Sequence, residues 1–284
     1  MKPGFNPFKF GEGVRRLVTR PGPDGIERLY KKAPSSDPKN INRNFRISNY
    51  YGGTAVADAI GCNLRCVFCW AINDLRSYSK ITEKASFYSP SEVAAALENL
   101  IKEYGLKYAR ITEGEPTLDM DHLCGILENL RKSKERFTFI LETNGLLLGR
   151  YPKLARQIAD YDKKVKKDTS FLHVRVSIKG ATPEKFRLLT FADAKYHDLQ
   201  FAAIKNCADV GLSVHPTTML DFVEAKHETD YLRNKLIDID PSLIKDLEWE
   251  RLFLEGYVIE RLKKYRVPFK MVFREEGAEI WKKE

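Results

Sequence analysis

From residue 54 onward the chain alternates between short apolar, β-prone runs and helical stretches with one apolar face. That rhythm leaves few folds open. Residues 54–60, 108–112, 137–141, 171–178 and 212–220 read as strands, and 246–253 as a last one. Between them, Ser89-Pro90-Ser91-Glu92 is a capping box with proline at the first helical position. The helix it opens places Val93, Leu97, Leu100, Ile101 and Tyr104 on one face and stops at Gly105. Further helices are predicted over 119–134 and 151–161, from Thr182-Pro183, on to about 210, and over 255–265. Alternation of this kind builds a parallel sheet covered by helices. The predicted fold is α/β, a partial (β/α)6 TIM-like barrel, on which sites form at the C-terminal ends of the strands. Residues 1–53 carry turn signals such as Pro21-Gly22-Pro23-Asp24-Gly25 and read as an irregular N-terminal extension. Residues 54–265 form the core, and 266–284 a C-terminal tail.

The loop after the first strand holds Gly61-Cys62-Asn63-Leu64-Arg65-Cys66-Val67-Phe68-Cys69-Trp70. Cys62, Cys66 and Cys69 have Cys-x3-Cys-x2-Cys spacing. Three thiolates this close can ligate three irons of a [4Fe–4S] cube, which normally takes four cysteines. The remaining iron would be open to a small molecule, and Phe68 offers an aromatic face beside it. Structural zinc takes four ligands from paired knuckles, whereas Cys124 and Cys207 stand alone. A disulfide needs an oxidising compartment, and five cysteines with three clustered fit a reducing, cytoplasmic setting. The N-terminus has no apolar signal region, and no apolar run is long enough to span a membrane. His122, His173, His197, His215 and His227 show no metal-ligand spacing, and only His215 falls near the strand ends.

Other motifs share the same rim. Glu113-Gly114-Glu115-Pro116 follows the second strand, Glu142-Thr143-Asn144-Gly145 the third, Ser177-Ile178-Lys179 closes the fourth, and Thr217 and Met219 lie at the end of the fifth. Each alone is an ordinary turn or strand end; their joint position points to one site.

With these residues in place, the chain resembles the radical S-adenosylmethionine (SAM) superfamily over roughly residues 54–265. The cysteine spacing and Phe68 are similar to its cluster motif, and Glu113-Gly114-Glu115-Pro116 to its Gly-Gly-Glu-Pro motif, with Glu113 in place of the first glycine. Glu142 to Gly145 and Ser177 to Lys179 look most like the glycyl-radical activating enzymes and their relatives. The resemblance implies a [4Fe–4S] cluster and SAM as cofactors. It implies reductive cleavage of SAM to a 5′-deoxyadenosyl radical that abstracts hydrogen from a substrate. Glu113, Gly114, Glu115 and Pro116 would approach the SAM ammonium. Glu142, Asn144, Ser177 and Lys179 would approach its methionine or ribose part, and Phe68, Thr217 and Met219 the adenine.

Net charge is +9. It is accounted for by a lysine-rich solvated surface whose basic residues are interleaved with acids; it also suits an acidic one-electron donor such as a flavodoxin or ferredoxin, which cluster reduction requires, and it equally suits RNA. Substrate therefore stays open between a protein, as in activating enzymes, and a tRNA or other RNA. A zinc-bearing nucleic-acid-binding protein is the reading outside enzymes, and the strand-end motifs speak against it.

Overall fold

The computed structural model describes residues 4–31, 45–69, 71, 85–162, 164–166, 169–252 and 256–268. Helix α1 (Pro7–Val18) starts where the Asn6 side chain accepts from the amides of Phe8 and Lys9, with proline in its first turn. Strands β1 (Thr19–Gly22) and β2 (Gly25–Lys31) form an antiparallel hairpin, with Gly22 opposite Gly25. The short strand β3 (Arg46–Ser48) leads to β4 (Thr54–Asp58), and β5 (Ala85–Tyr88) pairs antiparallel with β2.

The repeating units follow: α2 (Pro90–Tyr104), β6 (Tyr108–Thr112), α3 (Met120–Leu130), β7 (Thr138–Thr143), α4 (Leu146–Arg150) and α5 (Pro152–Ala159). After the small ladder of β8 (Lys164–Lys166) with β9 (Thr169–Ser170) come β10 (Leu172–Ile178), α6 (Pro183–Thr190), α7 (Asp198–Asp209) and β11 (Ser213–Met219). Helix α8 (Lys226–Ile237), β12 (Glu248–Glu250) and α9 (Gly256–Lys264) complete the order. No helix among the described residues is long and apolar enough to cross a membrane.

The main sheet runs β12-β11-β10-β7-β6-β4-β3. All its pairs are parallel except β3 with β4. It curls into a half-barrel of the expected α/β kind. Side chains alternate across a strand, and the two faces differ in chemistry. Ala55, Ala57, Ala109, Ile111, Phe139, Leu141, Val174 and Val176 are buried under the helices in one large core. At the alternate positions on the concave face, Glu142 pairs with both Arg110 and Arg175, and Asp58 pairs with Arg46 of β3. A parallel sheet is usually apolar on both faces; here the inside is ionic.

The segment before the barrel is more regular than its sequence suggests. Pro21-Gly22-Pro23-Asp24-Gly25 is the hairpin's own turn, not a loop between irregular stretches. Helix α1 is weakened as a sequence signal by Gly11 and Gly13. It is held by tertiary packing: a Cβ on Gly11 would run into the Asn63 Cβ of the cysteine loop at 2.8 Å.

Helix α4 lies across α7, and a Cβ added to Gly149 would overlap the Leu199 carbonyl oxygen. The Asn206 amide locks the same crossing by donating to the Leu148 carbonyl at 2.8 Å. Gly149→Ala is therefore expected to lower unfolding free energy by about 1–3 kcal/mol, the usual range for overpacking. A urea midpoint equal to that of the parent protein would reject this tight crossing.

Candidate active site

The cysteine loop is fixed by backbone bonds before any side chain acts. The Ala59 amide donates to the Thr112 carbonyl at 3.0 Å, and the Ile60 amide to Leu29 at 3.0 Å. The Glu115 amide reaches the Gly61 carbonyl at 2.8 Å, and the Val67 amide the Leu189 carbonyl at 2.8 Å. Gly114 is required by this contact: a Cβ there would sit 2.6 Å from Gly61 O and 2.8 Å from Ala59 O.

Glu115 is the brace of the rim. It is 1% exposed. Its Oε1 accepts from the Thr117 amide (3.2 Å), the Thr117 hydroxyl (2.6 Å) and the Thr143 hydroxyl (2.7 Å), and its Oε2 from the Asn144 amide (2.8 Å). The carboxylate thus ties the end of β6 to the end of β7. Arg28 holds the same turn from behind, donating to the carbonyls of Pro116 and Glu115 at 2.8 Å each. Asn144 carries the brace to the cysteines. Its Nδ2 donates to Asn63 Oδ1 at 2.7 Å and lies 3.7 Å from Cys62 Sγ.

The three loop cysteines are free thiols, each half-buried. Burial pushes the Cys62 thiol well above its ordinary value, with Glu115 adding to the rise. Burial pushes Cys66 up to about 12, while Lys179 and Arg261 pull the other way. Metal must therefore displace protons here. The Leu64 amide, 3.4 Å from Cys62 Sγ, and Asn144 Nδ2 are donors suited to the negative charge that replaces them. Among the described residues no three His, Cys, Asp or Glu side chains converge on a point for one ion. The donor set, three thiols strung along one loop with N–H groups behind them, fits a cluster larger than a single metal.

Around the loop, Phe68 is buried against Phe222, ring centroids 5.1 Å apart. The Lys179 ammonium stands 5.7 Å from the Phe68 ring centroid, and its backbone amide is fixed by Gln200 Oε1 at 2.8 Å. Met219 packs into the same apolar group as Phe68 and Phe222. From α9, Arg261 donates to the Cys69 carbonyl.

Glu113 departs from the motif in backbone as well as side chain. It has φ +69°, a left-handed conformation that glycine adopts without cost. Its carboxylate is buried and paired with Lys31. Burial and the nearby Asp58 push it up, while Lys31 opposes them. Asp58 in turn takes both arms of Arg46, at 2.5 and 2.8 Å.

Deeper on the concave face, Arg110 donates to Glu142 at 2.7 Å, and Arg175 lies among Glu142 (3.7 Å), Glu248 (2.7 Å) and Glu250 (2.8 Å). Burial works against charge on Arg175, but Glu248, Glu250 and Glu142 together hold it firmly protonated. Thr217 accepts from Arg175 at 3.2 Å. A relay runs from His173 to His215 (2.5 Å) and on to Glu248 (3.0 Å). Burial alone would raise Glu248, but bonds from His215 and Arg175 outweigh it and hold the carboxyl down at about 2.

The structure thus gathers Phe68, Gly114, Glu115, Pro116, Asn144 and Lys179 about the cysteines. Glu142 and Thr217 belong to the concave ionic layer, and Ser177 is a buried inward position beside Thr217 in the β10–β11 register. Sequence reasoning missed Arg28, Asn63, Arg110, Arg175, Glu248 and Arg261. Arg110 and Arg175 had a usable signal, a charge inside an apolar strand; Arg28 and Arg261 had none, because their partners lie far away in the chain.

Glu115→Gln keeps the shape but removes the charge that four donors share. It is expected to cost about 1.5–3 kcal/mol of stability, read from denaturant unfolding; an unshifted curve would show that the brace carries no weight. A second expectation concerns pH. His122, between Tyr30 and the Ile26 carbonyl, and His173 are both held down to about 4 from 6.5, by burial first in each case. Below 6.5 the unfolded chain takes up protons that the folded one refuses, so stability should fall as pH drops from 6.5 towards 4. His122→Gln should flatten that slope, and identical slopes would contradict the assignment.

Comparison with known proteins follows the geometry. The family model described as Radical SAM superfamily matches residues 58–232, more than half of the chain. Molybdenum cofactor biosynthesis protein moc-5 of Caenorhabditis elegans is 26% identical over 195 residues, 68% of this chain and 28% of that protein. A GTP 3′,8-cyclase of Peptoclostridium acidaminophilum is 31% identical over 154 residues, 54% of this chain and 41% of that protein. The chain spans less than half the length of these curated relatives. Among solved structures, anSMEcpe with bound AdoMet and Cp18Cys peptide superposes with a TM-score of 0.51 at 16% identity, covering 71% of this chain and 51% of that one. These relatives are not the glycyl-radical activating enzymes that the strand-end motifs resemble, because short polar strand-end motifs do not separate branches that share one cofactor site. The cysteine loop, its strand-end brace and the half-barrel beneath them, together with the family match, place this chain in the radical SAM superfamily.

Proposed function

We propose that this chain is a radical SAM enzyme that abstracts hydrogen from a substrate held against the concave face of the half-barrel. The observation that carries the reading is the convergence of Cys62, Cys66, Cys69, Asn144 and Lys179 at one rim, directly above an ionic inner layer. Cys62, Cys66 and Cys69 would hold a [4Fe–4S] cluster, which with SAM supplies a 5′-deoxyadenosyl radical. Glu115 keeps its four protein donors, so its part is to position the Gly114–Glu115 backbone, whose polar groups lie at the rim. Lys179, which has no carboxylate partner among the described residues, suits the SAM carboxylate. Phe68 is covered on one side by Phe222, and Cys66 packs against the same apolar group. The concave layer orients substrate through Arg110, Arg175 and their carboxylates, beside His215, which bridges His173 and Glu248. Free, half-buried thiols suit a reducing compartment such as the cytoplasm.

A second reading is favoured by the curated relatives, whose names specify GTP 3′,8-cyclase. The chain lacks a match for more than half of that protein, and its concave arginines are already engaged by carboxylates. GTP is nonetheless the first substrate to offer, beside tRNA and peptides.

Anaerobic reconstitution is expected to give about four irons and four sulfides per chain, as one cube requires, and 5′-deoxyadenosine on adding SAM and reductant. Cys62→Ala, Cys66→Ala and Cys69→Ala should lose both; Cys124→Ala should lose neither. One zinc per chain without labile sulfide would end this reading, and consumption of GTP to a cyclised product would select the second.

A further inference from the structure

The outer side of the cysteine loop carries cations that neither the rim nor the concave layer uses. Arg65, exposed between Cys62 and Cys66, holds its guanidinium 4.8 Å from the centroid of Phe10. Arg150, at the end of α4, covers Phe8 at 4.2 Å. Lys264, in the last turn of α9, stands 5.8 Å from Tyr265. The rings beneath them are linked. Phe5 meets Phe10 at 5.2 Å, the Phe5 amide donates to the Phe191 carbonyl at 3.1 Å, and Phe191 meets Tyr265 at 4.7 Å. Phe5 and Phe8 pack in the same apolar group as Cys62 and Cys66. The belt therefore lies directly on the loop that presents the thiols.

Among the described residues, Arg65, Arg150 and Lys264 have no carboxylate partner. Of the acids nearby, Asp193 is taken by Lys195 at 3.2 Å and Glu12 by Arg15 and Arg16 at 3.3 and 3.2 Å, while Glu260, exposed one turn before Lys264, offsets a single charge of the belt. Lys263 and Arg266 add exposed positive charge beside Lys264. The concave face is the opposite case, its arginines paired with carboxylates throughout. The elements that carry the belt, α1, α4 and α9, take no part in the concave layer. A macromolecule seated on the belt would leave the substrate side clear.

We propose that this belt docks an acidic one-electron carrier protein of the flavodoxin kind. The proposal rests on the radical SAM reading and adds where its electron enters. One electron leaves the carrier and enters the cluster; the carrier is oxidised by one electron, the cluster reduced by one, and no bond or proton moves. Charge alone would suit nucleic acid equally; the aromatic faces separate the two, because Arg65 and Arg150 already cover the faces of Phe10 and Phe8 on which bases would stack. Opposite charges steer such an encounter over distance, and salt screens it.

The test uses the reconstituted protein and the double variant Arg150→Glu/Lys264→Glu, neither residue being a ligand or rim contact. Reduction of the cluster is followed by its visible absorbance, with reduced flavodoxin as donor at low ionic strength, and separately with photoreduced 5-deazaflavin, which needs no docking surface. The flavodoxin rate should fall by about tenfold or more, within the range of electrostatic steering, and lose most of its salt dependence. The deazaflavin rate should stay unchanged. Lys107→Glu, before β6 at the far end of the barrel, should match the parent. Equal flavodoxin rates in parent and double variant, with the deazaflavin rate intact, would overturn the docking site while leaving the enzyme reading in place. So would tRNA binding that is tighter than flavodoxin binding at one ionic strength and is lost in the double variant. A parent protein that takes up no cluster would overturn both.

Discussion

A single buried carboxylate, Glu115, gathers donors from two strand ends, and the geometry of the rim depends on that charge being satisfied. An unpaired carboxylate in such a place would be costly, so Thr117, Thr143 and the Asn144 amide are held wherever Glu115 needs them. Asn144 then has its own side chain aimed at Asn63 and Cys62. The position of the first thiol is thus determined by a hydrogen-bond chain that begins on β6, passes through β7 and ends in the cysteine loop. Arg28 closes it from the N-terminal hairpin. An acid that the motif alone assigns to a ligand serves here as the fastener between strands.

The concave layer follows a different rule. Its charges are numerous but nearly all matched inside the protein, from Arg46 with Asp58 to Arg175 with Glu142, Glu248 and Glu250. Buried ion pairs add little net stability relative to apolar packing. Their value is that they keep the inner face polar and fixed, so that a substrate meets preset donors and acceptors. Any substrate charge must exchange partners with this layer, which makes Arg175, with three carboxylates around it, the hardest cation to recruit.

What was legible in the sequence was what is local. The strands over 108–112 and 171–178, the Ser89 capping box with its Gly105 stop, and the cysteine spacing each depend on neighbours within a few residues, and the folded chain shows them. What was not legible depends on distant partners. Helix α1 was hidden because its stability comes from packing Gly11 on Asn63 rather than from propensity. The role of Glu115 was hidden because Thr143 and Asn144 lie 28 and 29 residues away. The inward arginines stood in plain view inside apolar strands, yet their meaning needs the cross-strand register that puts Arg175 beside Glu142.

The cysteine loop is enclosed by both flanks of the barrel: α1 from before it, and α9 from 192 residues beyond Cys69, where Arg261 reaches the Cys69 carbonyl. During synthesis the chain emerges in order, so the thiols and the helix behind them exist long before the last piece of their cover. The loop therefore waits for a contact supplied by the last described helix of the chain. Even with α9 in place the three thiols stay half-buried rather than sealed, so the completed fold still leaves them a way out to iron.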